Sequence, residues 1–129
     1  MKTLAQLKAE IYNAITADVT MKTYVSTRLY WISKVSGKST FPLLTYQALD
    51  EIGEYTLGGS GINYEGSDVT FQIDAYTDSD DGDTMDNIID RLKTVMHGLD
   101  YRLINSPIEF LDSETHKIIR PTRWERYNV

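Results

Sequence analysis

The densest chemistry in the chain lies at residues 78–86, where Asp78, Asp80, Asp81, Asp83 and Asp86 surround Gly82. Alternating carboxylates with a central glycine resemble a calcium-binding loop, which also needs a bidentate acid at its twelfth position. Begun at Thr77, such a loop supplies Thr77, Ser79, Asp81 and Gly82 in order but closes on Ile88. Begun at Asp78, it misplaces Gly82 and closes on Ile89. Both registers lack the closing carboxylate. The acids suit the N-terminus of a helix instead, where each complements the dipole by roughly 0.3–1 kcal/mol.

Other chemistry fails on spacing or supply. After Gly58, Gly59 and Gly61, a dinucleotide fingerprint needs a third glycine where Tyr64 stands, then a helix. Gly37-Lys38-Ser39 would end a phosphate loop whose first glycine falls on Ile32. His97 and His116 are the whole imidazole supply, and neither has a second histidine at ligand spacing. His116 stands near Asp112 and Glu114; His97 falls near a helix C-terminus. Cysteine is absent, which removes thiol nucleophiles, Cys-based zinc sites and disulfides together. No serine sits in a Gly-x-Ser-x-Gly elbow. No catalytic, metal or cofactor-binding residue emerges, and the expectation is a protein that is not an enzyme and takes no cofactor.

Charge and aromatics carry more information. Residues 1–38 hold six Lys/Arg against two acids, residues 39–90 hold twelve acids and no Lys or Arg, and residues 91–129 hold seven Lys/Arg against five acids. An acidic middle between basic ends suits head-to-tail self-association. The net charge of −6 argues against a duplex-binding stripe, though a wall that repels DNA fits it. Nine tyrosines, two tryptophans and three phenylalanines are residue types favoured at protein interfaces. Near the end of the chain Arg120, Arg123 and Arg126 interleave with Trp124 and Tyr127, a candidate basic and aromatic interface.

These residues need elements to position them. At 129 residues the chain is one domain, able to bury roughly two-thirds of its unfolded surface. No run of 18 apolar residues crosses a membrane, and the start of the sequence has no signal-peptide core. Leu4, Leu7, Ile11, Ala14 and Ile15 predict a helix over 3–17, with Thr3 and Gln6 at capping-box spacing. A short turn at 19–25, capped by Asp18, precedes a strand at 28–32 and a polar loop at 33–40. Phe41-Pro42 leads a strand through Leu49, with Leu44, Tyr46 and Ala48 on one face. Val69, Phe71, Ile73 and Ala75 alternate with polar residues, the mark of a half-buried strand over 68–77. Between these strands Gly58, Gly59 and Gly61 mark the tip of a long hairpin, about 55–66, read as a flexible arm. A helix over 84–98 carries Met85, Ile88, Ile89, Leu92, Val95, Met96 and Leu99 and ends at Gly98. Strands near 108–111 and 117–127 follow, with Pro121 placing part of the second at an edge or bulge. The sum is an α+β fold: an antiparallel sheet of about four strands, two helices packed on one face, and a long hairpin arm.

The opening helix, Arg28-Leu29-Tyr30, Phe41-Pro42-Leu43-Leu44-Thr45-Tyr46-Gln47, and Val69 to Thr77 running directly into the helix from Asp83 to Gly98 form a pattern. It resembles the tail completion proteins of long-tailed bacteriophages, also called tail terminator or tail-to-head joining proteins. The likeness covers most of the chain to about Gly98. It implies a structural virion protein of the tail or neck, made in the host cytoplasm. It further implies a ring, usually of six copies, on the head-proximal end of the tail, which ends tube polymerisation and joins tail to head. The implied partners are other copies, the tail tube protein and the head stopper, with double-stranded DNA passing through without specific binding. Tyr55, Leu57, Gly58, Gly59, Gly61, Ile62 and Tyr64 then form an interface arm expected to touch tail tube or stopper. Asp50, Glu51, Glu54, Asp78, Asp80, Asp81 and Asp83 are expected to divide between lumen and subunit interface. A head-side stopper or adaptor ring, and a small ligand-binding or regulatory α+β domain, are the alternative readings.

Overall fold

The computed structural model describes residues 2–31, 39–58, 61–78, 82–106, 110–111 and 116–127. In chain order they form α1 (Leu4–Ala17), α2 (Val19–Val25), β1 (Leu29–Trp31), β2 (Leu43–Gly58), β3 (Gly61–Thr77), α3 (Gly82–Gly98), β4 (Arg102–Asn105), β5 (Phe110–Leu111) and β6 (Ile118–Arg126). The polar loop expected at 33–40 lies mostly outside the described residues.

Local chemistry explains the helix ends. Thr3 Oγ1 accepts from the Gln6 amide at 3.2 Å, and Gln6 Oε1 accepts from the Thr3 amide at 2.8 Å, closing the capping box. Leu7, Ile11 and Ile15 recur every four residues and are buried; Leu4, expected on the same stripe, stands at its exposed rim. Asp18 caps α2 by accepting from the Met21 amide at 2.8 Å. The same carboxylate receives Arg91 of α3 through Nε at 2.9 Å and Nη2 at 2.5 Å. One side chain thus starts α2 and ties it to α3.

α3 ends at Gly98, as expected, but the left-handed residue that closes it is not the glycine. The turn is made two residues past Gly98, by Asp100 at φ 67°. The Tyr101 amide donates to Met96 O at 3.0 Å and the Asp100 amide to His97 O at 3.0 Å, the paired bonds of a Schellman cap. Asp tolerates the left-handed region better than most residues with a Cβ. Buried Tyr101 follows and closes the core.

Among the described residues the sheet has six strands in the order β1-β2-β3-β6-β4, with β5 also pairing β6, and three helices accompany it. This is the expected α+β fold, and the count of about four strands and two helices is approximate. The expected antiparallel pairing fails for β1, which runs parallel to β2 with Leu29 opposite Leu44. Periodicity shows which face a strand buries but not the direction of its neighbour. β4 escapes sequence patterning because its four residues are mostly exposed and show no apolar alternation. Pro121 sits inside β6, opposite Asp74 of β3 with no break in register. It is tolerated because β5 pairs as far as Ile119 and β4 resumes at Arg123, so neither claims the proline's missing N–H.

The helices cover one face of the sheet. Val69, Phe71, Ile73 and Ala75 of β3 point there, as the alternation requires, beside Leu44 and Tyr46 of β2. Opposite Phe71 stands Trp124, fully buried, its indole Nε1 donating to Thr122 Oγ1 at 2.7 Å. The Thr122 hydroxyl in turn donates to Ile73 O at 2.8 Å, so the polar end of the tryptophan is satisfied inside the core. Trp31, Phe71 and Tyr101 continue the cluster edge to face, at 6.5 and 5.9 Å between centroids. Burial pushes the Tyr101 phenol up to about 12.

Candidate assembly surfaces

The β2–β3 hairpin outruns the sheet that supports it. β6 pairs β3 only from Val69 to Thr77, and β1 pairs β2 only from Leu44 to Tyr46. The hairpin ladder continues from Ile52↔Asp68 to Gly58↔Gly61, and among the described residues no third strand pairs with it. At about 3.3 Å per residue this is a two-stranded ribbon projecting roughly 25 Å. Two bulges shape it, one at Leu49 on β2 and one at Glu65 on β3. Each adds a residue to one strand, which bends the ribbon and strengthens its twist. Tyr55 is paired with Tyr64, Leu57 with Ile62 and Gly58 with Gly61, so these arm residues come together at the distal end. Gly59 lies outside the described residues.

The acids do not gather in one place. Asp50, Glu51 and Glu54 belong to the ribbon side of β2, opposite Thr70, Val69 and Gly66. Asp78 follows the other end of β3, roughly 26 Å away along the strand from Thr70. There it accepts from Lys117 Nζ at 2.6 Å. Asp83 is exposed in the first turn of α3, the helix-start position that its sequence context suggested. Asp80 and Asp81 lie outside the described residues.

The alternation of β6 divides the cluster of cations and aromatics at its end. Arg120 and Arg126 share the helix side: Arg120 reaches Asp86 of α3 at 3.5 Å and Ser106 Oγ at 3.3 Å, and Arg126 reaches Glu10 of α1 at 3.3 Å. These two arginines fasten sheet to helices. Trp124, placed by sequence in an outer interface, is the largest fully buried side chain, so no partner touches it in this fold. Its place opposite Phe71 puts so large an apolar surface in the core. Arg123 and Tyr127 remain exposed. Arg123 Nε donates to Gln72 Oε1 at 3.3 Å, while Gln72 Nε2 donates to Asp74 Oδ1 at 2.9 Å. Burial pushes the Asp74 carboxyl above its ordinary range, and this amide bond and the Arg123 charge partly offset it.

Sequence reasoning missed the residues beside them. Arg102 of β4 donates to the Tyr127 hydroxyl and lies 4.6 Å from its ring centroid. Ile104, the extra residue of a bulge between Leu103 and Asn105, is 44 % exposed, and Phe110 of β5 is 52 % exposed. Together with Arg123 and Tyr127 they make a rim of cations and apolar side chains along the β4–β5 side of the sheet, with Glu125 set opposite Arg102. The only sequence signal is an isolated pair of apolar residues in two very short strands.

Among the described residues no group of three His, Cys, Asp or Glu side chains is placed to hold a metal ion. No described helix is long and apolar enough to cross a membrane. His97 and His116 are both exposed.

A family model described as tail completion protein gp17 matches residues 9–117. The chain belongs to this tail completion family. It is a structural tail protein and a virion component. A search of curated proteins finds no match. Among solved structures, a chain of the "virion of native gene transfer agent (GTA) particle" superposes with a TM-score of 0.64 at 16 % identity. The superposition covers 97 % of this chain and 96 % of that one, so the fold is shared from end to end. The match includes the region of β4 and β5, which sequence patterns alone left indistinct.

Proposed function

We propose that copies of this tail completion protein close into a ring, of six as the family resemblance implies, at the head-proximal end of the tail. The ring ends polymerisation of the tail tube and presents a docking surface to the stopper protein of the head. Double-stranded DNA passes through the lumen without specific contacts. Family membership over residues 9–117 supports a place in the tail. The observation that supports the ring is the split between an acidic projecting ribbon continuing β2 and β3 and a patch with exposed arginines along the β4–β5 edge of the sheet. Two different, complementary patches on one molecule favour head-to-tail contact, which forms a ring when its rotation closes. The excess of acid is also what a lumen needs if DNA is to slide past without sticking.

The test is mass by light scattering with negative-stain imaging, over a concentration series at low and high salt, alone and with purified tail tubes. Rings that weaken with salt, or that assemble on tube ends and block further tube growth, support the reading. A chain that stays monomeric under all these conditions refutes it.

A further inference from the structure

We propose that the β2–β3 ribbon of one copy docks on the β4–β5 rim of the next, so that the arm's partner is a second copy of this chain. This rests on the ring reading and names the surfaces that build it. Residues 50–67 contain Asp50, Glu51, Glu54 and Glu65, no Lys or Arg, and the apolar residues Ile52, Tyr55, Leu57, Ile62 and Tyr64. A two-stranded ribbon is marginally stable by itself in water and gains from a surface to lie on. The rim offers the opposite pattern: Arg102 and Arg123 beside exposed Ile104, Phe110 and Tyr127. Most other cations of this region are already committed within the chain. Arg120 pairs with Asp86, Arg126 with Glu10 and Lys117 with Asp78. Arg102 meets a phenol and Arg123 an amide; Glu125 stands opposite Arg102 in register and the Arg123 charge acts on Asp74, yet among the described residues neither arginine closes an ion pair within 4.0 Å. Both keep donors for an acidic partner.

Topology makes the contact intermolecular. β3 and β6 stand between β2 and β4; the ribbon leaves the same end of the sheet at which Arg102 and Tyr127 lie but runs on past it, which carries its distal residues beyond their own rim. The bulge at Ile104 breaks the pairing of the β4 edge, a feature that discourages strand addition. The docking is therefore one of side chains across the rim rather than an extension of the sheet.

The chain has no cysteine, so engineered cysteines report unambiguously. Leu57→Cys and Ile104→Cys in one chain, treated with a short bismaleimide, should give a ladder of covalent multimers. Mixing the two single variants should give heterodimers and nothing larger. Charge reversal supplies a second arm. Glu51→Lys with Glu54→Lys, and separately Arg102→Glu with Arg123→Glu, should each weaken self-association about tenfold at low salt. Mixed together, the two reversed proteins should pair again, basic ribbon on acidic rim. Rings that form without the 57–104 cross-link, or a ribbon captured by the tube protein instead, overturn this inference and leave the ring reading standing. Failure to assemble, alone and on tail tubes, overturns both.

Discussion

Thr122→Val tests the buried relay that seats Trp124. The substitution nearly conserves shape and removes one hydroxyl. Trp124 Nε1 then loses its acceptor, 2.7 Å away in the parent, in a site with no access to water. A buried donor left without a partner costs about 1–3 kcal/mol. The donor bond to Ile73 O is lost as well, but that carbonyl belongs to a strand and its loss is the smaller part. Against this, the added methyl recovers less than about 1 kcal/mol of burial. A net loss of about 1–2 kcal/mol is expected. With an unfolding entropy of about 2.1 cal/mol/K per residue, that lowers Tm by roughly 4–7 °C for 129 residues. The control is Thr122→Ser, which keeps the hydroxyl and loses only a methyl, at about 1 kcal/mol or less. Urea unfolding followed by far-ultraviolet circular dichroism, with tryptophan fluorescence to show that the indole stays buried, makes the comparison. Valine as stable as serine or more so, with Trp124 still buried, would refute the relay.

Asp18→Asn removes the ion pair with Arg91 while keeping an acceptor for the Met21 amide, and should cost about 1–2 kcal/mol at neutral pH. The Arg91 hydrogen bonds hold the Asp18 carboxyl below its ordinary range, so its contribution is present above about pH 4 and lost as pH falls through the folded value. Urea titrations at pH 7 and pH 3 should show the variant's deficit shrinking in acid. Gly98→Ala should stabilise by about 0.5–1 kcal/mol, because a Cβ there meets nothing within 4 Å, whereas Asp100→Val, forced to positive φ, should destabilise by about 1–2 kcal/mol; thermal melts of both variants decide it. Replacing residues 54–66 by Asn-Gly joins the ladder partners Gly53 and Ser67 through a two-residue turn. That variant should melt within a few degrees of the parent yet fail to assemble and to join heads to tails, measured by light scattering and by infectious particles.

Short-range features are legible along the chain itself. Thr3 with Gln6, and Asp18 ahead of Val19, announce two helix starts because capping needs only neighbours along the chain. The alternation from Val69 to Ala75 names the buried face of β3, since side-chain direction repeats every second residue whatever lies beside the strand. The long hairpin follows from glycines between two strands, and the charge segregation can be counted directly.

Partnerships between distant segments are not legible in this way. Nothing local to Trp124 says that Phe71 stands opposite it, so an aromatic residue among arginines resembles a surface feature until pairing puts it in the core. The same pairing sends Arg120 and Arg126 to the helices and leaves Arg123 facing outward. The parallel direction of β1, the bulges at Leu49 and Glu65, and the rim of Arg102, Ile104 and Phe110 also arise only when strands far apart in the chain are set in register. The sequence by itself determined the helix caps, the buried faces of β2 and β3, the projecting arm and the imbalance of charge, because these depend on composition and on periods of two to four residues. Only the tertiary structure decided which charges are satisfied within the chain and which remain for a partner, because that depends on contacts between residues as far apart as Glu10 and Arg126.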